Sequence, residues 1–118
     1  MTALIIESSI HINQRLKNYL LDIGRFELIH QAFSCMEGHC KAENIKPDVV
    51  LLDSSLPDNC ALELLGSIRS SIPACKVIVL IDHGDLHLSY LLSASGANVI
   101  LDKYKEFDRI SEVICMIC

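Results

Sequence analysis

The sequence predicts an α/β fold built on a doubly wound parallel sheet, and two observations carry that prediction. Three runs, Ala3 to Ile6, Val49 to Leu52 and Val77 to Ile81, are apolar throughout instead of alternating, the pattern of strands covered on both faces. Segments with helical spacing lie between them. Strands that alternate with helices through short turns need right-handed crossovers, which place helices on both sides of the sheet.

The elements follow in order along the chain. After the first strand, Ile12, Leu16, Tyr19, Leu20 and Ile23 share one helical face, and Gly24 is placed to end that helix. Phe26 to His30 is a weaker strand candidate. Cys35 to Ile45 reads as the second helix, closed by Pro47 just before the strand at Val49. A third helix runs from Cys60 through Leu64, Leu65 and Ile68, followed by Ser70, Ser71 and Pro73. Leu86, Tyr90, Leu91 and Ala94 mark the fourth, ending near Gly96, and Val99 to Leu101 is a short fifth strand. The last helix runs from Phe107 through Ile110, Val113, Ile114 and Ile117. No internal repeat, low-complexity tract or linker interrupts this βα order.

The 118 residues suit one domain spanning 1–118, with no room for a second. Hydrophobic residues are 51% of the chain and aromatics only 5%, so the core must be built from Leu, Ile, Val and Ala. With 10 basic against 15 acidic residues the net charge is -5, which repels a phosphate backbone; direct nucleic-acid binding is not expected. No apolar run approaches the roughly 18 residues of a bilayer span, and Met1 to Ile6 lacks a basic leader, so a cytoplasmic protein away from membranes is expected. In that reducing compartment most of the six cysteines are expected to be thiols packed as small hydrophobes.

In doubly wound sheets the functional crevice lies beyond the carboxyl ends of the strands. Those positions hold Glu7, Ser8 and Ser9, then Asp53 to Asp58, then Asp82 and His83, and finally Lys103. A carboxylate such as Asp53 can serve as the nucleophile that becomes an aspartyl phosphate. A second acidic group can help hold Mg²⁺, and a lysine can offset charge on phosphoryl oxygens. Other signals are weaker. Cys115 and Cys118 have CxxC spacing without a second pair, and His83 and His87 sit four apart without further ligands. Cys35, His39 and Cys40 form a loose cluster best read as a helix with mixed faces, and Cys60 reads as a helix-start residue. Glycine-rich phosphate loops are absent, which disfavours nucleotide binding.

Four segments in order resemble the receiver domains of two-component response regulators, over nearly the whole chain. Leu4-Ile5-Ile6-Glu7-Ser8 looks like the first strand with its acidic pair, and Asp48-Val49-Val50-Leu51-Leu52-Asp53 like the strand ending at the phospho-accepting aspartate. Leu56-Pro57-Asp58 with Leu62-Glu63-Leu64-Leu65 is similar to the following loop and helix. Gly96-Ala97-Asn98-Val99-Ile100-Leu101-Asp102-Lys103 is similar to the last strand and its lysine. The resemblance implies a CheY-like, flavodoxin-like (βα)5 sheet of order 2-1-3-4-5. It further implies that Asp53 accepts a phosphoryl group from a histidine kinase or phosphotransfer protein, and that Lys103 contacts that group. Glu7, Asp53 and the carbonyl of Ser55 would bind Mg²⁺. The output would be a changed face around the fourth helix, fifth strand and fifth helix, binding an effector domain or a second copy. Such a protein is not an enzyme in the metabolic sense.

The departures weaken that chemistry. Ser8 stands where the family has a second acidic residue, so Mg²⁺ affinity should fall. Ile81 replaces the usual Ser or Thr, and Ile100 replaces the rotating aromatic, so both halves of the family's switch are aliphatic. Asp82, where a small residue is usual, would add a third carboxylate or pair with Lys103. Two readings therefore compete. One is a phosphotransfer receiver with a partly degenerate site; the other is a pseudo-receiver, a phosphate-independent interaction or dimerisation module, with Tyr90, Ile100, Tyr104 and Phe107 as candidate contacts.

Overall fold

Every residue of strand β3 (Val49–Asp53) is buried, because this strand lies at the middle of the sheet with β1 (Thr2–Ile6) on one side and β4 (Lys76–Ile81) on the other. The computed structural model describes all residues except Asp58, His83 and Gly84. Asp58 of the expected loop and His83 of the histidine pair thus lie outside the described residues. Strand β2 (Leu28–Ala32) flanks β1 and β5 (Val99–Asp102) flanks β4, so the five strands run β2-β1-β3-β4-β5, all parallel. Five helices alternate with them: α1 (Ile10–Ile23), α2 (Cys35–Ile45), α3 (Ala61–Ser71), α4 (Leu86–Ala94) and α5 (Arg109–Ile117). The expected architecture and strand order are those observed.

The period of two along each strand divides the core into two layers. Ala3, Ile5, Val49, Leu51, Ile78, Leu80 and Leu101 face Leu16 and Leu20 of α1 and Ile110, Val113 and Ile114 of α5. Leu4, Ile6, Val50, Leu52, Val77, Val79 and Ile81 face α2, α3 and Leu92 of α4. Side-chain caps start three helices: Ser9 accepts from Ile12 N–H, Ser34 from Glu37 N–H and Asp85 from Leu88 N–H. Gly24, in the left-handed region at φ 74°, ends α1 where its sequence position implied.

Three details differ from the sequence expectation. Strand β2 is Leu28–Ala32, two residues later than the apolar run at Phe26, because the edge strand is only partly covered and tolerates His30 and Gln31 within it. In α4 the apolar positions Leu86 and Tyr90 point outward and Leu92 is the residue fully buried, since the helix leans over the thin β5 edge. Phe107 precedes α5 instead of opening it; its ring meets Tyr19 edge-on at 5.3 Å and carries the Arg15 guanidinium at 4.2 Å.

Most of the six cysteines are thiols, as expected, but among those thiols only Cys75 is packed in the core. Cys35 and Cys60 are joined as a disulfide, Cys75 is a buried thiol, and Cys40, Cys115 and Cys118 are exposed thiols. Pairing was not anticipated because the two partners are 25 residues apart and meet only when α2 packs on α3.

Helix α2 reaches β1 through Gly38, where an added Cβ would stand 2.8 Å from Ile6 Cδ1 and 2.9 Å from its Cγ2. Gly66 in α3 has nothing within 4 Å of that position. Urea denaturation should therefore show Gly38→Ala destabilising by about 1–3 kcal/mol through overpacking. Gly66→Ala should stabilise by about 0.5–1 kcal/mol by restricting the unfolded chain.

Candidate functional site

Four neighbouring strands each deliver one charged residue to the carboxyl edge of the sheet: Glu7 after β1, Asp53 at the end of β3, Asp82 after β4 and Lys103 after β5. Their phase explains why they meet. Each lies two positions beyond a residue of the α1–α5 layer, namely Ile5, Leu51, Leu80 and Leu101, so each continues a row already facing that layer. Lateral pairing of Asp53 with Leu80 and of Ile81 with Asp102 brings the rows level.

Lys103 is the hub. Its ammonium stands 2.9 Å from Glu7 Oε1, 2.9 Å from Asp53 Oδ1 and 3.3 Å from Asp82 Oδ1. Glu7 and Asp53 are each 2% exposed and Lys103 5%, whereas Asp82 is 34% exposed at the mouth. The backbone holds Lys103 in place: its N–H donates to Ile81 O at 2.7 Å, and Asp102 Oδ1 accepts from Tyr104 and Lys105 N–H at 2.9 and 2.8 Å, turning the chain away from the site.

Burial raises the Glu7 carboxyl above the usual range, with Asp53 beside it pushing the same way and Lys103 opposing. For Lys103 burial works against the charged form, but hydrogen bonds to Glu7 and Asp53 outweigh it and leave the ammonium more basic than usual. Three carboxylates around one ammonium leave an excess of negative charge, which favours a further cation and resists an incoming anion.

The loop after β3 is tied to the same cluster. Ser55 N–H donates to Asp53 Oδ1 at 3.0 Å, and its hydroxyl donates to Asp82 Oδ2 at 2.8 Å. Ser54 N–H donates to Leu80 O at 3.0 Å. Asp82 faces the site as a third carboxylate and also reaches Lys103, so the two placements raised for it coincide. Ser8 is half-buried beside Glu7. Ile81 and Ile100 do not join the cluster: Ile81 is buried in the α2–α3–α4 layer, Ile100 packs on it, and both border a cavity of about 540 Å³ with Ser89, Ser93, Asp102, Lys105 and Glu106. Of the candidate contact residues, Tyr90 and Tyr104 are 71% and 67% exposed, while Phe107 belongs to the core.

Sequence reasoning missed Asn13. Fully buried on α1, it donates to Glu7 O at 2.9 Å and Ala32 O at 3.0 Å and accepts from Gln31 Nε2 at 2.9 Å, fixing the backbone from which Glu7 projects. The available signal was a polar residue between Ile12 and Leu16, one turn after the Ser9 cap. Among the described residues no group of three or more His, Cys, Asp or Glu side chains is disposed to hold a metal ion.

No family model matches the chain. A chemotaxis protein CheY of Listeria monocytogenes is 29% identical over 111 residues, 94% of this chain and 92% of that protein. Over nearly its whole length the chain is thus similar to a CheY-like response regulator receiver domain of two-component signalling. A receiver domain of a DNA-binding response regulator from Colwellia psychrerythraea superposes on this chain with a TM-score of 0.90 at 21% identity, covering 99% of this chain and 97% of that one. A response regulator from Burkholderia pseudomallei, solved with a phosphorylated aspartic acid, calcium and citrate, shares the fold at a TM-score of 0.82 and 19% identity, covering 98% of this chain and 71% of that one.

Removing the site's central cation leaves Glu7 and Asp53 buried and uncompensated, so Lys103→Met should cost about 3–5 kcal/mol of unfolding free energy at pH 7. Protonation relieves that loss. A carboxyl whose folded pKa lies above its unfolded value stabilises most below the unfolded value, and that contribution disappears as pH rises through the folded one. Urea midpoints should therefore show the variant recovering part of its deficit as pH falls from 7 towards 5.

Proposed function

We propose that residues 1–118 act as one receiver module, in the cytoplasm, in which Asp53 accepts a phosphoryl group from a histidine kinase or phosphotransfer protein. The observation that carries this reading is the contact of Asp53 Oδ1 with Lys103 at 2.9 Å in a site nearly closed to water. A carboxylate oxygen of Asp53 attacks phosphorus, the bond to the donor's imidazole nitrogen breaks, and the imidazole leaves with that electron pair. Lys103 offsets the charge that gathers on the phosphoryl oxygens. Ser55 N–H keeps the Asp53 carboxylate oriented.

Glu7, Asp53 and the Ser55 carbonyl would hold Mg²⁺, since hard oxygen donors beside surplus carboxylate charge suit that ion. When bound, the ion supplies positive charge to the phosphoryl oxygens. Ser8 contributes no second carboxylate, and Asp82 both competes for Lys103 and repels the incoming dianion. Transfer is therefore slow. Among the described residues no helix is long and apolar enough to cross a membrane. Output passes through the face formed by α4, β5 and α5, where exposed Tyr90 and Tyr104 are available to an effector domain or a second copy.

The test is incubation with acetyl phosphate and Mg²⁺, followed by intact-mass and peptide measurement. A phosphoryl adduct should form slowly on wild type and be absent from Asp53→Asn. Asp82→Ala should speed it roughly tenfold, equivalent to about 1.4 kcal/mol in the barrier. An equal adduct on Asp53→Asn would remove the assignment of the acceptor; rapid labelling of wild type, unaffected by Asp82→Ala, would remove the account of why the site is slow.

A further inference from the structure

We propose that Cys35 and Cys60 form a reversible redox site that exchanges with low-molecular-weight disulfides, and that its state sets how firmly the loop after Asp53 is held. The two residues belong to different elements, the first residue of α2 and the N-cap of α3, and their Cα atoms are 6.4 Å apart, within the span a disulfide bridges without backbone movement. Both pack in the layer where α2 meets α3.

Their surroundings favour exchange over a permanent staple. Each stands at the N-terminus of a helix, whose N–H groups and dipole stabilise a thiolate. Ser34 already caps α2, whereas Cys60, the N-cap residue of α3, makes no side-chain cap hydrogen bond, so its sulfur stands at the start of that helix once the bond opens. Cys60 is half-buried and borders an open groove of about 300 Å³ with Cys35, Met36, His39 and Glu63, which gives a small disulfide access. Cys75 is the contrast: it is buried, and its thiol is pushed up to about 11 by that burial, so it takes no part. Where compartments are reducing, disulfides that do form are mostly transient.

The chemistry balances with a disulfide RSSR as oxidant. The Cys60 thiolate attacks one sulfur of RSSR, and one RS⁻ leaves. The Cys35 thiolate then attacks Cys60 Sγ in the mixed disulfide, and the second RS⁻ leaves. Two electrons pass from the cysteine pair to RSSR, and the two thiol protons end on the two RSH products.

The consequence reaches the charged cluster through the chain itself. After Asp53, Ser54 N–H is anchored on Leu80 O and Ser55 on Asp53 and Asp82. Leu56 is buried, and Asn59, whose φ is 52°, immediately precedes Cys60. The cross-link ties the far end of this loop covalently to α2, and its reduction removes that tie.

The full chain would be equilibrated in glutathione buffers from fully reduced to fully oxidised, quenched, alkylated and mapped by mass spectrometry. Cys35 and Cys60 should pass together from alkylated to bonded within that range, while Cys40, Cys75, Cys115 and Cys118 stay alkylatable after denaturation. A pair that remains thiol in oxidised glutathione, or bonded in reduced glutathione, overturns the redox site. Hydrogen exchange at Ser54, Ser55 and Leu56 should be roughly threefold or more faster in the reduced protein, and Cys35→Ser should match the reduced protein in both buffers. Equal protection in both redox states overturns the coupling to the loop. Neither readout involves phosphorylation.

Discussion

The ammonium of Lys103, enclosed by Glu7, Asp53 and Asp82, is the interaction on which the carboxyl edge of the sheet depends. Carboxylates on neighbouring strands repel one another, and a nearly closed site screens that repulsion poorly. One lysine arriving from the strand at the edge offsets it. The same ammonium therefore stabilises the ends of β1 and β3, holds β5 in register, and draws the Asp82 turn inward, where Ser55 can bond to it. A lysine shared among three carboxylates is held in place from three strands at once.

The division of each strand into two phases shapes everything around that cluster. Charged residues extend the phase facing α1 and α5, and aliphatic residues extend the phase facing α2, α3 and α4. Ile81 and Ile100 fall in the second group and line the cavity beside α4, so their side chains shape the surface of β5 and α4 instead of touching Asp53. Backbone linkage joins the two sides: Lys103 N–H is bonded to Ile81 O, which places a residue of the charged cluster and a residue of the α4 layer on one hydrogen bond. Any displacement of Lys103 is thus felt directly at the end of β4.

Much of this was legible in the residue order. Burial is written locally, so the continuous apolar runs of β1, β3 and β4, the capping residue Gly24 and the spacing within α1 and α3 announce themselves without knowledge of neighbours. The edge strand β2 was legible only in part, because a strand with one neighbour tolerates His30 and Gln31 and blurs the pattern. The helix α4 was legible but its buried residue was not, for a related reason: a short helix over a narrow edge needs few buried side chains, and Leu92 suffices.

The sequence by itself determined an alternating α/β chain and the strand ends at which Glu7, Asp53, Asp82 and Lys103 stand. Only the tertiary structure decided that Asp82 shares the ammonium of Lys103, that Asn13 holds the backbone of Glu7, and that Cys35 meets Cys60. The reason is physical. Periodicity reports which way a side chain points from its own element, whereas a contact between two elements depends on register and packing set by the whole sheet and the helices upon it.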